Sequence, residues 1–177
     1  MNATKRHSID GVGELPSRSN YLIGADQRSW HRGVPSYSNV AYRGLYPGVD
    51  LVFYYSENNE LEYDLKFTAG ASAKEALLRI AGCDRLWISA RGDLIMEAGG
   101  EKVVLHRPVA YQPRLGSQRP VEARFVLENH NQVGFEVGAY DRSLPLVIDP
   151  QLTYSSYLGG SANDTGWRVA VDADGYA

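Results

Sequence analysis

Residues 60–67 read Glu-Leu-Glu-Tyr-Asp-Leu-Lys-Phe, with Leu61, Tyr63, Leu65 and Phe67 on one face and Glu60, Glu62, Asp64 and Lys66 on the other. A repeat of two is the period of a β-strand, and an apolar face opposite a charged one belongs to a half-buried antiparallel strand. Residues 49–55, Val-Asp-Leu-Val-Phe-Tyr-Tyr, supply its natural partner. The loop between them, 56–59, holds two asparagines that tolerate positive φ, so the spacing predicts a hairpin.

The same short period extends outward in both directions. Strands are expected over 40–45, 77–81, 85–89, 93–97, 102–106, 109–112, 121–127, 133–137 and 146–148. Turn signals stand between them: Arg91-Gly92-Asp93, Gly99-Gly100, Gly116-Ser117 and Asn129-His130-Asn131. Pro47, Pro108, Pro113, Pro120, Pro145 and Pro150 all fall at strand ends or connections, where a missing N–H costs the ladder little. Only Ser72-Ala73-Lys74-Glu75 has a helical signature, a capping box, and the strand-like Leu78-Arg79-Ile80 that follows limits it to one turn. Many short strands with so little helix predict an all-β, mainly antiparallel, sandwich-like domain.

Three segments are expected. Residues 1–19 have no usable period and read as a loose leader; 20–150 form the all-β domain; 151–177, after a shift in composition at Pro150, read as an unfinished β-repeat. Apolar residues at 44% and charged residues at 22% belong to a folded chain. A net charge of −3, with 14 Arg and 4 Lys dispersed along the chain, leaves no basic patch for nucleic acid. No segment approaches the roughly 20 apolar residues of a membrane-spanning helix, and 1–13 contain no signal-peptide apolar run. Taken literally the chain is cytoplasmic; as a fragment it is equally compatible with a signal peptide upstream. Its one cysteine, Cys83, excludes an internal disulfide and is expected as a small buried apolar side chain.

Chemistry is sparse. His7, His31, His106 and His130 lie far apart and form no metal-ligand pair, no serine elbow is present, and neither phosphate-binding glycine motif occurs, so no metal and no cofactor is expected. Asp172-Ala173-Asp174-Gly175 is like a calcium loop, but Ala170 stands where a ligand belongs, and a hairpin turn is the simpler account. Glu62 and Asp64 project from one strand face at i, i+2, a spacing open to a glycosidase carboxylate pair; a solvated strand face looks the same. Tyrosine stands out with 12 copies. Trp30, Tyr37, Tyr54 and Tyr55 are the candidates for a ligand-binding aromatic surface, and the adjacent Tyr54 and Tyr55 must face opposite sides of their strand.

Several segments together resemble a known domain. They are Asn20-Tyr21-Leu22-Ile23-Gly24, Trp30, Val34-Pro35-Ser36-Tyr37, the run from Tyr46-Pro47-Gly48 through Tyr54, Leu61-Glu62-Tyr63-Asp64, Leu105-His106-Arg107-Pro108, Tyr111-Gln112, Val133-Gly134-Phe135, Gly138-Ala139-Tyr140-Asp141 and Pro145 to Pro150. The pattern is similar to an uncharacterised N-terminal domain of large exported bacterial proteins, found upstream of β-propeller repeats of the SBBP type. Residues 153–160, Thr-Tyr-Ser-Ser-Tyr-Leu-Gly-Gly, with 169–175, resemble the start of the first such repeat. A blade needs about 40 residues, so 152–177 are expected to pack poorly or to be borrowed as an extra strand by the main sheet. The resemblance implies a secreted or cell-surface setting, a propeller of the same polypeptide as partner, and no transferable catalytic residues. It leads to a non-catalytic structural or interaction module, with glycan, cell-wall or surface-protein binding through the aromatics as the alternative and a hydrolase using Glu62 and Asp64 as a third.

Overall fold

The computed structural model describes residues 7–56, 61–129, 131–150 and, for backbone pairing, 152–154. The expected hairpin is present as β3 (Val49–Tyr55) and β4 (Leu61–Phe67), paired antiparallel from Val49 opposite Phe67 to Tyr55 opposite Leu61. They lie within a seven-stranded sheet, with β1 (Ser8–Tyr21) and β2 (His31–Tyr46) on one side and β13 (Leu146–Asp149), β9 (Val109–Arg114) and β10 (Ser117–Val121) on the other. The strand order is β1-β2-β3-β4-β13-β9-β10.

Two smaller sheets complete the fold. One is ordered β11-β12-β5, from β11 (Ala123–Asn129), β12 (Gln132–Val137) and the two-residue β5 (Leu78–Arg79); the other is ordered β14-β8-β7-β6, from β14 (Leu152–Tyr154), β8 (Glu101–Leu105), β7 (Leu94–Ala98) and β6 (Arg85–Ile88). The domain is all-β and antiparallel, with three sheets and no closed barrel.

One core joins the sheets. Val49, Leu65, Phe67, Leu146 and Ile148 from the seven-stranded sheet pack with Phe125, Val133 and Phe135 from the second sheet and Leu94 and Leu105 from the third. Burying each large aliphatic or aromatic side chain contributes about 2 kcal/mol. Leu65, Leu94, Leu146 and Ile148 are fully buried, so the hairpin's apolar face is the floor of this core.

Residues 8–19, expected in a loose leader, instead form most of β1, which runs beside β2 as an edge strand. Every residue of β1 except the half-buried Ser19 is exposed, so neither face needed an apolar repeat. Ladder hydrogen bonds hold the strand without one. The pairing slips between Glu14 and Arg18, around Pro16, which twists the free edge.

Two helical turns occur among the described residues, an unforeseen one at Gln27–Ser29 and the expected one at Ala73–Glu75. No capping box closes the expected turn: the Ser72 hydroxyl caps nothing, and the backbone Glu75 N–H donates to the Ser72 carbonyl at 3.0 Å. Cys83 is half-buried, not fully enclosed. Of the segment expected to be orphaned, Leu152–Tyr154 pairs with Val103–Leu105 as an added strand, on the four-stranded sheet and not the main one. The turn at Asp174-Gly175 and the rest of the repeat lie outside the described residues.

Candidate functional site

The alternation that buries Leu65 and Phe67 turns Glu62, Asp64 and Lys66 to the opposite face of β4. Register carries this outer face across the sheet. Val52 and Tyr54 on β3 stand opposite Asp64 and Glu62, Val147 on β13 stands opposite Lys66, and Tyr111 on β9 stands opposite Val147. Asp149 lies two residues beyond Val147, so it shares this face, one step past the Ile148–Leu65 pair and beside Asp64.

The centre of this face is buried. Ala41, Val52, Asp64 and Val147 are all buried, so Asp64 sits in a small apolar patch and not in a solvated row. Its carboxylate is satisfied locally: the Tyr54 hydroxyl donates to Oδ1 at 3.1 Å, and Lys66 Nζ lies 3.5 Å from Oδ2. Asp149 is not so provided, since its Oδ1 is buried and has no hydrogen-bond partner.

Charge follows from this placement. Burial first, then the neighbouring charges of Asp64 and Glu62, push the Asp149 carboxyl up to about 6. Burial and the nearby Asp64 and Asp149 carboxylates also hold the hydroxyls of Tyr54 and Tyr111 above the ordinary tyrosine range. The cluster therefore has one carboxyl that keeps its proton into mildly acidic solution beside another that is hydrogen-bonded, between two tyrosines that stay protonated. Such a set can accept and release a proton.

Glu62, Asp64 and Tyr54 thus come together, while the other candidates do not join them. Tyr55 faces the opposite side and is exposed. Tyr37 is on β2, where its ring covers Gly11: a Cβ at Gly11 would fall on the ring. Trp30, in the β1–β2 connection, donates its indole N–H to the Gly24 carbonyl at 3.0 Å, with the Arg32 guanidinium 5.1 Å from its ring centre. Asp149 and Tyr111 were missed from sequence; the available signal was an apolar run, Leu146-Val147-Ile148, that ends in an acid between two prolines.

On the other face, beyond the core, Tyr42, Phe53 and Tyr63 form a row with ring centres 5.9 Å apart, inclined at 72° and 48°. Rings so inclined interlock instead of lying flat. A groove of about 710 Å³ lies elsewhere, between the Ala73 turn and β12, lined among others by Lys74, Glu128, Gly134, Tyr140 and Arg142. Among the described residues no group of His, Cys, Asp and Glu is arranged to hold a metal ion, and no helix is long and apolar enough to cross a membrane.

Fold and cluster define an all-β, antiparallel domain with a carboxyl–tyrosine cluster on the outer face of its main sheet. The chain belongs to the family described as a domain of unknown function, DUF7948, whose pattern matches residues 1–151. That match includes β1, so the first strand belongs to the family pattern together with the main sheet. No curated protein and no solved structure matches the chain.

Proposed function

We propose that this domain is a non-catalytic structural and interaction module preceding a β-propeller in a secreted or cell-surface bacterial protein. The observation that carries this is the path of the chain after the core. β13 lies inside the seven-stranded sheet, and only Pro150 and Gln151 separate it from β14, an edge strand of the four-stranded sheet. The chain leaving the domain is therefore fastened by a strand ladder, in register from Leu152 opposite Leu105 to Tyr154 opposite Val103. A domain anchored in this way can cover the open edge of a following first blade, which would otherwise present unpaired backbone groups.

The non-catalytic character is supported by Asp64, whose oxygens are engaged by Tyr54 and Lys66 within a buried patch and so are poorly placed to meet a sugar. The test is to produce the longer polypeptide with and without residues 1–150 and follow thermal unfolding and protease resistance of the downstream part. The downstream part should become less stable without the domain; unchanged stability overturns the proposal.

Carbohydrate or cell-wall binding is a second proposal, favoured by the exposure of Tyr37 and Tyr55, at 40% and 65%. A glycan array probed with the native chain and with Tyr37→Ala and Tyr55→Ala separates the two: signal lost in either variant supports binding, and no signal from the native chain removes it.

A further inference from the structure

The exit of the seven-stranded sheet holds two carboxyls where one would suffice. Asp149 is the last residue of β13, and Asp64 faces the same side on the adjoining β4, so they are cross-strand neighbours, a relation that places Cβ atoms about 5 Å apart. Asp64 is hydrogen-bonded by Tyr54 and approached by Lys66, yet each carboxylate oxygen can accept a further bond. Asp149 Oδ1 is enclosed without a donor. From β4, Glu62 and Asp64 present negative charge and Lys66 a positive one; from β3 and β9 the facing groups are the hydroxyls of Tyr54 and Tyr111. The charges felt most strongly at Asp149 are those of Asp64 and Glu62, both repulsive to a second anion.

We propose that Asp149 and Asp64 form a proton-operated latch at the exit of the main sheet, closed when the pair shares one proton and loosened when both carboxyls are charged. In the closed state Asp149, having taken a proton from solvent, donates its O–H to the Asp64 carboxylate and ties the end of β13 to β4. In the open state both are anions, and the enclosed oxygen has neither donor nor countercharge. Pro150 comes next and is buried, and β14 begins two residues later, so slack at Asp149 is passed to the β14–β8 ladder. The titration of Asp149 up to about 6 places the transition in mildly acidic solution. This is a property of the chain itself and is independent of any residue after β14.

The test is amide hydrogen exchange of the β14–β8 ladder in the 177-residue chain, corrected for intrinsic rates, between about pH 5 and pH 7.5. Protection should fall on the order of tenfold as pH rises, less than the full separation of folded and unfolded titration because the group is partly solvated. Asp149→Asn, which carries the proton's hydrogen bond permanently, should hold protection at the high level with no pH dependence. Constant protection in the native chain, or the same slope in Asp149→Asn, overturns the proposal. Should that variant not fold, Asp64→Asn serves instead: the Asp149 carboxyl, followed by its ¹³C shift, should titrate at lower pH, and an unmoved midpoint overturns the latch.

Discussion

The side-chain amide of Gln112 is bonded on both of its ends to the backbone of Asp141. Gln112 is fully buried on the core side of β9; its Nε2 donates to the Asp141 carbonyl at 2.7 Å and to the Pro145 carbonyl at 3.3 Å, and its Oε1 accepts the Asp141 N–H at 3.0 Å. One side chain thus fixes the connection into β13. Gln112→Leu keeps approximate volume but leaves three backbone groups unpaired, each costing about 1 kcal/mol or more. We expect a loss of about 2–4 kcal/mol, read as a lower urea midpoint; a change below about 1 kcal/mol would mean that water replaces the amide freely.

Tyr46, which closes β2 within the core, donates its hydroxyl to the Leu77 carbonyl at 2.6 Å and so joins the main sheet to the segment entering β5. Tyr46→Phe removes the donor and little volume. A loss of about 1–1.5 kcal/mol is expected by chemical denaturation, with faster exchange at Leu78 and Arg79. Equal stability of the two proteins would show that the bond is made only in passing.

Local patterning explains which parts of this fold were legible. β3 and β4 could be read because each buries one face, and burial imposes alternation on the residues themselves. β1 could not, because Asp10, Val12, Glu14 and Arg18 meet water and β2 alone, and backbone pairing leaves no mark on side-chain order. The carboxylate cluster was half visible. Glu62 and Asp64 stand on one strand, and their shared face follows from period two; that Asp149 and Tyr111 complete it depends on β13 inserting between β4 and β9, a long-range pairing that no local pattern encodes. Asp64 was legible as polar but not as buried, since its burial, like that of Val52 opposite it on β3 and of Val147 on β13, arises only in the assembled sheet.

Asp93 organises the turn between β6 and β7 together with the segment after β8. Its Oδ1 accepts the Arg107 N–H at 3.1 Å, His106 Nδ1 lies 3.4 Å away, and the Ser89 hydroxyl accepts the Asp93 N–H at 3.1 Å. The Arg107 backbone N–H, then the His106 contact, holds the Asp93 carboxyl below its usual range. A carboxyl depressed in the folded state binds fewer protons there than when unfolded, so its stabilisation is present above the unfolded value of 3.8 and is lost as pH falls through the folded one. Asp93→Ala should therefore cost about 1–2 kcal/mol at pH 7 and progressively less as the pH falls below 3.8. A difference that stays constant across that range would show that packing, and not charge, is what the substitution removes.

Gly48 sits at the second central position of the turn from β2 into β3, after Pro47, with φ of 73°. Proline followed by a left-handed residue is the signature of a type II turn, and glycine is the residue that adopts that conformation without cost. Space is restricted as well: a Cβ at this position would lie 2.8 Å from Thr68 Oγ1 and 2.9 Å from Ala71 Cβ. The glycine carbonyl accepts both the Thr68 N–H at 2.9 Å and the Thr68 hydroxyl at 3.2 Å, so the turn is pinned to the end of β4 and cannot move aside cheaply. Gly48→Ala adds backbone strain of about 1 kcal/mol to a steric displacement of similar size, for an expected total of about 2–3 kcal/mol. Gly44, which also has positive φ but has nothing within 4 Å of its would-be Cβ, is the internal control. Gly44→Ala should cost only the backbone part, about 1 kcal/mol. Thermal denaturation of the two variants side by side separates strain from contact, and equal losses would show that Thr68 and Ala71 yield without resistance.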